Sequence, residues 1–400
     1  MTFLCIASYF KGEEFLRACK ASGATVLLIT SKRLESQAWP RESIDEIFYM
    51  EETEPHQWNV DHMIAGVAWL MRSRRVDRIV ALDDFDVEKG TVLREQFRIP
   101  GMGQTTGRYF RDKLAMRMRA QDAGIAVPSF APLFTDEDIS AYFRWNSGPW
   151  VIKPRSEASA TGIRKVHSPE EAWEVLNSLG DRRHHFLIEQ YKPGDVYHAD
   201  ALSVEGKIVF CQVSRYMSPP FDVAHGGGIF RSHTLLPDSP ENHEIQELVR
   251  QVMQSFSMRS SASHTEFIRS REDGRMYFLE TSSRVGGAHL ADMVEAATGI
   301  NLWREWARLE VALAEGRSYQ LPAVQPAQAG IIISLARQPE PDTSAFGDPE
   351  IWWRMSREHH IGFIVRSGSQ ERVVELLDAY AHRVQADFHA SAPAPDKPSA

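Results

Sequence analysis

The chain has 400 residues, a formal net charge of −9, 43% hydrophobic and 25% charged residues. That balance belongs to a folded protein of two or three domains, and it excludes wholesale disorder and a nucleic-acid-binding surface spread over the chain. Three cysteines, Cys5, Cys19 and Cys211, without Cys-x-x-Cys spacing exclude a disulfide framework and point to a reducing, cytoplasmic setting.

No apolar run approaches the roughly 20 residues of a membrane span. The apolar stretch 3–10 has no basic region before it and reads as a first strand, not a signal peptide. FLCIASY (3–9) is that strand, GEEFLRACKASG (12–23) a helix stopped at Gly23, and TVLLIT (25–30) a second strand. A helix over 61–75 and a strand over 77–84 follow. This alternation predicts a doubly wound parallel sheet, ended by the turn-rich IPGMGQTTG (99–107). A helix runs from 107 to 123. Beyond it strands dominate, at 150–154, 186–191, 198–204 and 207–214, the last two joined by the hairpin signal Glu205-Gly206.

Helices at 168–179 and 241–258 are interspersed, and strands 261–270 and 275–281 flank another turn. Helices then run over 287–298 and 302–315. A strand starts near Gln328, HIGFIVRSG adds another, and SQERVVELLDAYAHRV closes the pattern as a helix. The Pro/Ala/Ser-rich end reads as disordered. The fold class is therefore α/β, with an α+β centre. Trp69, Met71, Met116, Met118 and Met253, at helical spacing, read as core. The pairs His184-His185 and His359-His360 have no ligand-spaced partner and read as surface.

Lys153 ends an apolar strand and is poorly placed for a solvated charge. The small-residue segment 155–166 after it, ending in Gly162, is either a weak phosphate loop or a flexible hairpin. It is not a Gly-x-x-x-x-Gly-Lys-Ser/Thr loop. In RMYFLETSSR, an extended chain puts Glu280, Ser282 and Arg284 on one face. A three-residue loop at Glu272-Asp273-Gly274 would pair Arg271 with Arg275 and set Glu266 opposite Glu280. Two opposed carboxylates repel, and a divalent cation between them removes the cost, Mg²⁺ being usual beside phosphates. A two-residue Asp-Gly turn would instead put them on opposite faces. EQYKPG (189–194) ends a strand and offers either a backbone edge for an adenine or a plain exit to a turn. VAHGGGIFRSH (223–233) reads as a mobile glycine-rich loop carrying His225, Arg231 and His233, or as plain surface.

The order of these pieces resembles the ATP-grasp superfamily: Lys113, VIKP, a small-residue loop, EQYKPG, HTEF (264–267), LETSSR (279–284), Gly286-Gly287 and ATGINLW (297–303). It is most similar to the carboxylate–amine ligases with biotin-carboxylase-like architecture. The resemblance implies an N-terminal α/β domain over 1–103 and an ATP-grasp domain over 104–315 with a lid lobe at about 125–192. It further implies a small α+β subdomain over 316–388, before a disordered tail, 389–400.

It also implies roles. Lys113 and Lys153 would contact ATP phosphates, with Ser159, Ala160 and Gly162 in the loop over them. Glu189, Gln190, Tyr191 and Lys192 would form the adenine hinge. Glu266, Glu280 and Ser282 would hold one or two Mg²⁺ ions, and Arg284 would stabilise an acyl phosphate. Three departures stand out: Ser282 replaces the family's asparagine, Val196 takes the place of the ribose-binding acid, leaving Asp195 or His198 as substitutes, and the phosphate loop is poor in glycine. The expected function is an ADP-forming ligase that activates a carboxylate, such as an amino acid's, and joins it to an amine. Arg231 would lie at the acceptor lid, and His225 or His233 would act as base. A homodimer is expected by resemblance, without nucleic-acid or membrane partners. A biotin-carboxylase-like component and a nucleotide-binding protein with little turnover are the alternatives.

Overall fold

The computed structural model describes residues 1–54, 57–158 and 161–391. The chain opens with β1 (Thr2–Ala7), β2 (Thr25–Ser31), β3 (Glu46–Met50), a short ribbon of β4 (Glu52–Glu54) and β5 (Gln57–Trp58), and β6 (Arg78–Ala81). Four of these run parallel in the order β3-β2-β1-β6. Helices α1 (Glu13–Ala21), α2 (Val60–Leu70) and α3 (Val87–Phe97) connect and cover them. β1 and β2 are almost wholly buried, as apolar runs without alternation require. The chain leaves β1 toward β2 and returns to β6 on the other side, so a crevice opens at the carboxyl ends of β1 and β6, where ligands settle in open parallel sheets.

The helix expected over 107–123 is two helices, α4 (Gln104–Arg108) and α5 (Lys113–Asp122). Asp112 divides them. Its carboxylate accepts from the amides of Leu114 (3.0 Å) and Ala115 (3.4 Å), an N-cap that starts α5. Arg155 grips the same carboxylate through Nε at 2.9 Å. Gly107 lets α4 sit against α3, since a Cβ there would lie 2.4 Å from Thr91 Cγ2.

A second sheet is built from β7 (Phe130–Pro132), β8 (Trp150–Pro154), β9 (Arg164–Val166) and β10 (Phe186–Gln190), with α6 (Asp136–Trp145) and α7 (Pro169–Leu179). It is antiparallel in the order β7-β10-β8-β9, over a core of its own that includes Ile139, Trp150, Leu176 and Ile188.

The third sheet has eight strands. Its elements are β11 (Gly194–Val204), β12 (Lys207–Tyr216), α8 (Pro220–Gly226), β13 (Phe230–Thr234), α9 (Pro240–Ser255), β14 (Ser261–Ser270) and β15 (Met276–Ser282). Then come α10 (Leu290–Thr298), α11 (Leu302–Ala314), β16 (Gln328–Leu335), β17 (Ile351–Arg354), β18 (His360–Ser367) and α12 (Gln370–Asp387). The order is β15-β14-β11-β12-β13-β16-β18-β17, so the last strands continue the sheet through β13. At the β11–β12 hairpin, Glu205 (φ 51°) and Gly206 (φ 85°) take the left-handed conformations that a two-residue turn demands.

The β14–β15 hairpin departs from expectation at its tip and meets it at the site. The tip closes one residue looser, over a four-residue loop, with the Ser270 amide donating to Arg275 O at 2.9 Å and Arg269 opposite Met276. Arg271 pairs elsewhere: its amide donates to Pro193 O at 2.9 Å. Carried unbroken, that register would set Glu266 opposite Leu279 and turn Glu280 to the other face. A β-bulge at Leu279 adds one residue between the Phe267–Phe278 and Glu266–Glu280 pairs, and the two carboxylates face each other after all.

Of the five residues expected in the core, Met116 and Met253 are buried, Met71 is half-buried, and Trp69 (67% exposed) and Met118 (55%) lie on the outer faces of their helices. The expected tail begins in order: Ala390 donates to Leu335 O at 3.0 Å and His389 Nδ1 meets Ser334 Oγ at 2.8 Å, while 392–400 fall outside the described residues. Among the described residues no helix is long and apolar enough to cross a membrane. Because Asp112 both caps α5 and answers Arg155, Asp112→Ala is expected to lower stability by about 2 kcal/mol, seen as a lower urea midpoint at unchanged slope.

Candidate active site

The three sheets enclose a pocket of about 650 Å³. The carboxyl ends of β1 and β6 contribute Tyr9, Lys11, Asp83, Asp84 and Phe85. The small antiparallel sheet contributes Lys153 and Glu189 through Lys192, and the eight-stranded sheet Val196, Glu266, Glu280, Ser282 and Arg284.

On the small-sheet side, charge is concentrated around Glu189, which is 4% exposed. Its carboxylate takes Arg117 Nε at 2.9 Å and Lys153 Nζ at 2.5 Å. Burial pushes this carboxyl up, but Arg117 and Lys153 outweigh it and hold it below its ordinary value. Two cations answer one anion, and Lys153 bears the consequence. Burial, opposed by Glu189 and reinforced by Arg117 and Lys113, brings its ammonium down to about 8. Lys113, the first residue of α5, reaches Glu280 at 2.9 Å and donates to Glu157 O at 2.6 Å. Against the cost of burial, Lys113 and then Lys153 keep Glu280 ionised below its ordinary range.

On the eight-stranded sheet, three strands present polar residues two apart on one face. His198 stands opposite Glu266, and Glu266 opposite Glu280. Asp200 stands opposite His264, and His264 opposite Ser282. The carboxylates of Glu266 and Glu280 therefore converge as an all-oxygen pair beside Lys113, a donor set that fits a hard divalent cation. Ser282 brings less to it than expected, since its hydroxyl donates to Asp84. Asp84 also takes Arg284 through Nε at 2.9 Å and through Nη2, while Arg284 Nη1 donates to Val285 O at 2.9 Å. Burial pushes the Asp84 carboxyl up, but Arg284 and Arg111 hold it well below the usual carboxylate range.

The residues proposed from sequence divide into two groups. Lys113, Lys153, Glu189, Gln190, Tyr191, Lys192, Glu266, Glu280, Ser282 and Arg284 all border the one pocket. Gly162, at φ 69°, packs on Pro154, which a Cβ would approach to 3.0 Å. Ser159 and Ala160 fall outside the described residues. The others lie elsewhere. Asp195 is tied to Arg215 (2.8 Å) and Arg271 (2.7 Å) on the face opposite Val196. His198 is wholly buried between Asp200 and Ser232. Arg231 reaches Asp378 of α12 at 2.6 Å.

The glycine-rich loop is in part the short helix α8, and His225 folds back onto it, 3.0 Å from Phe221 O with its ring against Phe221. His233 is half-buried and contacts Thr234 O at 3.0 Å. None of these five borders the pocket. Their neighbours Phe221 and Asp222 do. Sequence reading passed over Asp84, Arg111, Arg117, Asp200, Tyr216 and His264. The His/Asp, His/Glu and Glu/Ser pairs two apart in three strands were the available signal for the second face. Arg117, inside a helix of mixed charge, gave none.

Residues 146–292 match the family model described as ATP-grasp domain. The chain is 28% identical over 241 residues to the L-arginine-specific L-amino acid ligase of Bacillus subtilis, a match covering 59% of this chain and 58% of that protein. It is 26% identical over 253 residues to the D-alanine–D-alanine ligase of Cupriavidus taiwanensis, covering 60% and 76%. The fold is similar to that of an L-amino acid ligase from Bacillus licheniformis, with a TM-score of 0.76 at 17% identity over 97% of this chain and 98% of the other. It also resembles a biotin carboxylase domain from Hydrogenobacter thermophilus, with a TM-score of 0.70 at 17% identity over 98% and 91%.

The state of Lys153 yields a pH dependence. If Lys153 contacts a nucleotide phosphate, as the resemblance implies, the contact needs the ammonium, which the free protein loses as pH rises through about 8. Affinity for ADP is therefore expected to fall by up to tenfold per pH unit above 8, with proton uptake on binding. Calorimetry in buffers of different ionisation enthalpy reads both effects, and Lys153→Met should flatten them.

Proposed function

We propose that this chain, whose residues 146–292 match the ATP-grasp domain model, is an ADP-forming ligase that joins a carboxylate, such as that of an amino acid, to an amine. The observation that carries this reading is the convergence of Glu266 and Glu280 on one face, with Lys113 and Lys153 beside them, in a pocket of about 650 Å³. The names of its relatives support the amino acid as the substrate class.

In this reading, Lys113 and Lys153 hold the phosphates of ATP, and residues 189–192 border the adenine. Glu266 and Glu280 hold Mg²⁺, which when bound offsets the charge of the phosphates. A substrate carboxylate oxygen attacks the terminal phosphorus and ADP leaves. The amine then attacks the acyl carbon, phosphate leaves, and the amine gives up a proton. The chain's part is to position and to offset charge. Arg284, oriented by Asp84, supplies positive potential at the end of the pocket nearest β1 and β6. Arg111 borders that same end, as does Lys11, which is paired with Asp83 at 2.5 Å, so a carboxylate-bearing substrate meets Arg284 and Arg111 there. The base is assigned to neither His225 nor His233, which do not border the pocket.

The test is nucleotide release by the purified protein with ATP, Mg²⁺ and pooled amino acids, with and without hydroxylamine as a trap. ADP and phosphate released only with particular amino acids are the expected result, and Glu280→Gln should lower the rate at least 10²-fold. AMP and pyrophosphate would overturn the mechanism. Tight ATP binding without release across the pool would replace it with a nucleotide-binding role.

A further inference from the structure

Behind Glu266 lies a closed ring of polar contacts that the reaction above does not use. Asp200, with no exposed surface, places one carboxylate between two imidazoles: Oδ2 meets His198 Nδ1 and Oδ1 meets His264 Nδ1, each at 2.9 Å. His264 Nε2 lies 3.6 Å from Glu266 Oε1. Tyr216 donates its hydroxyl to the same oxygen at 2.8 Å. The Tyr216 ring packs on His198, with centroids 4.6 Å apart, which closes the ring. His198 is fixed from behind by Ser232 Oγ at 2.8 Å. Gly286 covers the Asp200–His264 contact from the front. A Cβ there would lie 2.6 Å from Asp200 Oδ1 and 3.1 Å from His264 Nδ1, so the backbone after β15 approaches this pair as closely as only glycine allows.

We infer that His264 is a positioning residue: held by Asp200, it acts with Tyr216 to fix the carboxylate of Glu266 in the orientation that receives a divalent cation. The inference rests on the reading of Glu266 as a metal carboxylate. Its physical basis is the placement of both contacts on Oε1. A free glutamate samples several rotamers, and two groups on one oxygen select the rotamer that keeps the carboxylate at the pocket wall. Partners behind a ligating carboxylate are commonly worth 10–100-fold in metal affinity. The alternative, a metal among His198, Asp200 and His264 themselves, has one ligand atom of each within 4.8 Å of the others. The contacts favour hydrogen bonding within the cluster over a metal there. The two imidazoles meet different oxygens of one carboxylate at hydrogen-bond length, and the remaining nitrogens already face Ser232 and Glu266.

The experiment is titration of the full chain, saturated with ADP, with Mn²⁺, free metal being read by electron paramagnetic resonance. Metal-free ADP affinity is measured in parallel and reports an intact fold. His264→Leu and Tyr216→Phe are each expected to weaken Mn²⁺ by about tenfold, with metal-free ADP affinity within about twofold of the parent. His264→Gln, which keeps a donor toward Glu266, should recover most of the loss. If Glu266→Gln loses Mn²⁺ while His264→Leu and Tyr216→Phe bind it like the parent, the positioning role falls and the metal reading of Glu266 stands. If Glu266→Gln itself binds Mn²⁺ unchanged, the metal reading falls and the inference with it. One equivalent of transition metal in the isolated protein, lost in His198→Leu, would also overturn the inference. Where His264→Leu does not fold, Tyr216→Phe decides by the same criteria.

Discussion

The Arg117 guanidinium, without solvent contact, joins the two sheets that face each other across the pocket. Its Nε meets Glu189 on the small sheet at 2.9 Å, and its Nη1 donates to Leu279 O on the large one. Leu279 is the bulge residue, so the group that anchors the small sheet also braces the irregularity that turns Glu280 toward Glu266. A lysine has no planar fork with which to serve a carboxylate and a carbonyl in two directions. The same arrangement sets the field of the pocket. One anion shared by two cations leaves an excess of positive charge, which adds to burial in lowering the proton affinity of Lys153 and favours anionic groups in front of it.

On the large sheet the residues in two rows across β11, β14 and β15 largely answer one another. Like charges meet at Glu266 and Glu280, and each has a cation or donor of its own: Lys113 at Glu280, His264 and Tyr216 at Glu266. Asp84 reaches into this pattern from β6 and takes up Ser282 and Arg284. The serine that departs from the expected asparagine is therefore accounted for within the protein, as a donor to Asp84.

Much of this was legible in sequence where a residue's role follows from its own strand. Lys153 at the end of WVIKP and Glu280 in LETSS could be placed because strand alternation is local. The opposition of Glu266 and Glu280 was reached from a hairpin one residue too tight at its tip. The bulge at Leu279 made up the difference, and it is braced by a side chain 162 positions away. Asp195, His198, Arg231, His225 and His233 were misplaced for a common reason. Their types suit a site, but their partners, Arg215 and Arg271, Asp200, Asp378, Phe221 and Thr234, come from register and packing that spacing does not reveal. Asp84 and Arg117 were missed for the converse reason: each matters through what the tertiary fold brings to it.

The first and last thirds of the chain are also bound to each other. Arg78 at the start of β6 meets Glu310 of α11 at 2.8 Å through Nε, Phe15 of α1 packs edge-on against Trp306 with centroids 5.0 Å apart, and Asp84 holds Arg284. The side of the parallel sheet that carries α1 therefore completes its covering only with residues made more than 200 positions later. On the ribosome, at roughly 5–20 residues per second, this face waits ten seconds or more for α11 to emerge. During that interval Phe15, Leu16 and Cys19, buried in the finished molecule, lack their later partners. Long-range closure of this kind slows folding and exposes apolar surface while it lasts, so the aggregation hazard of the nascent chain sits at α1, far from the site.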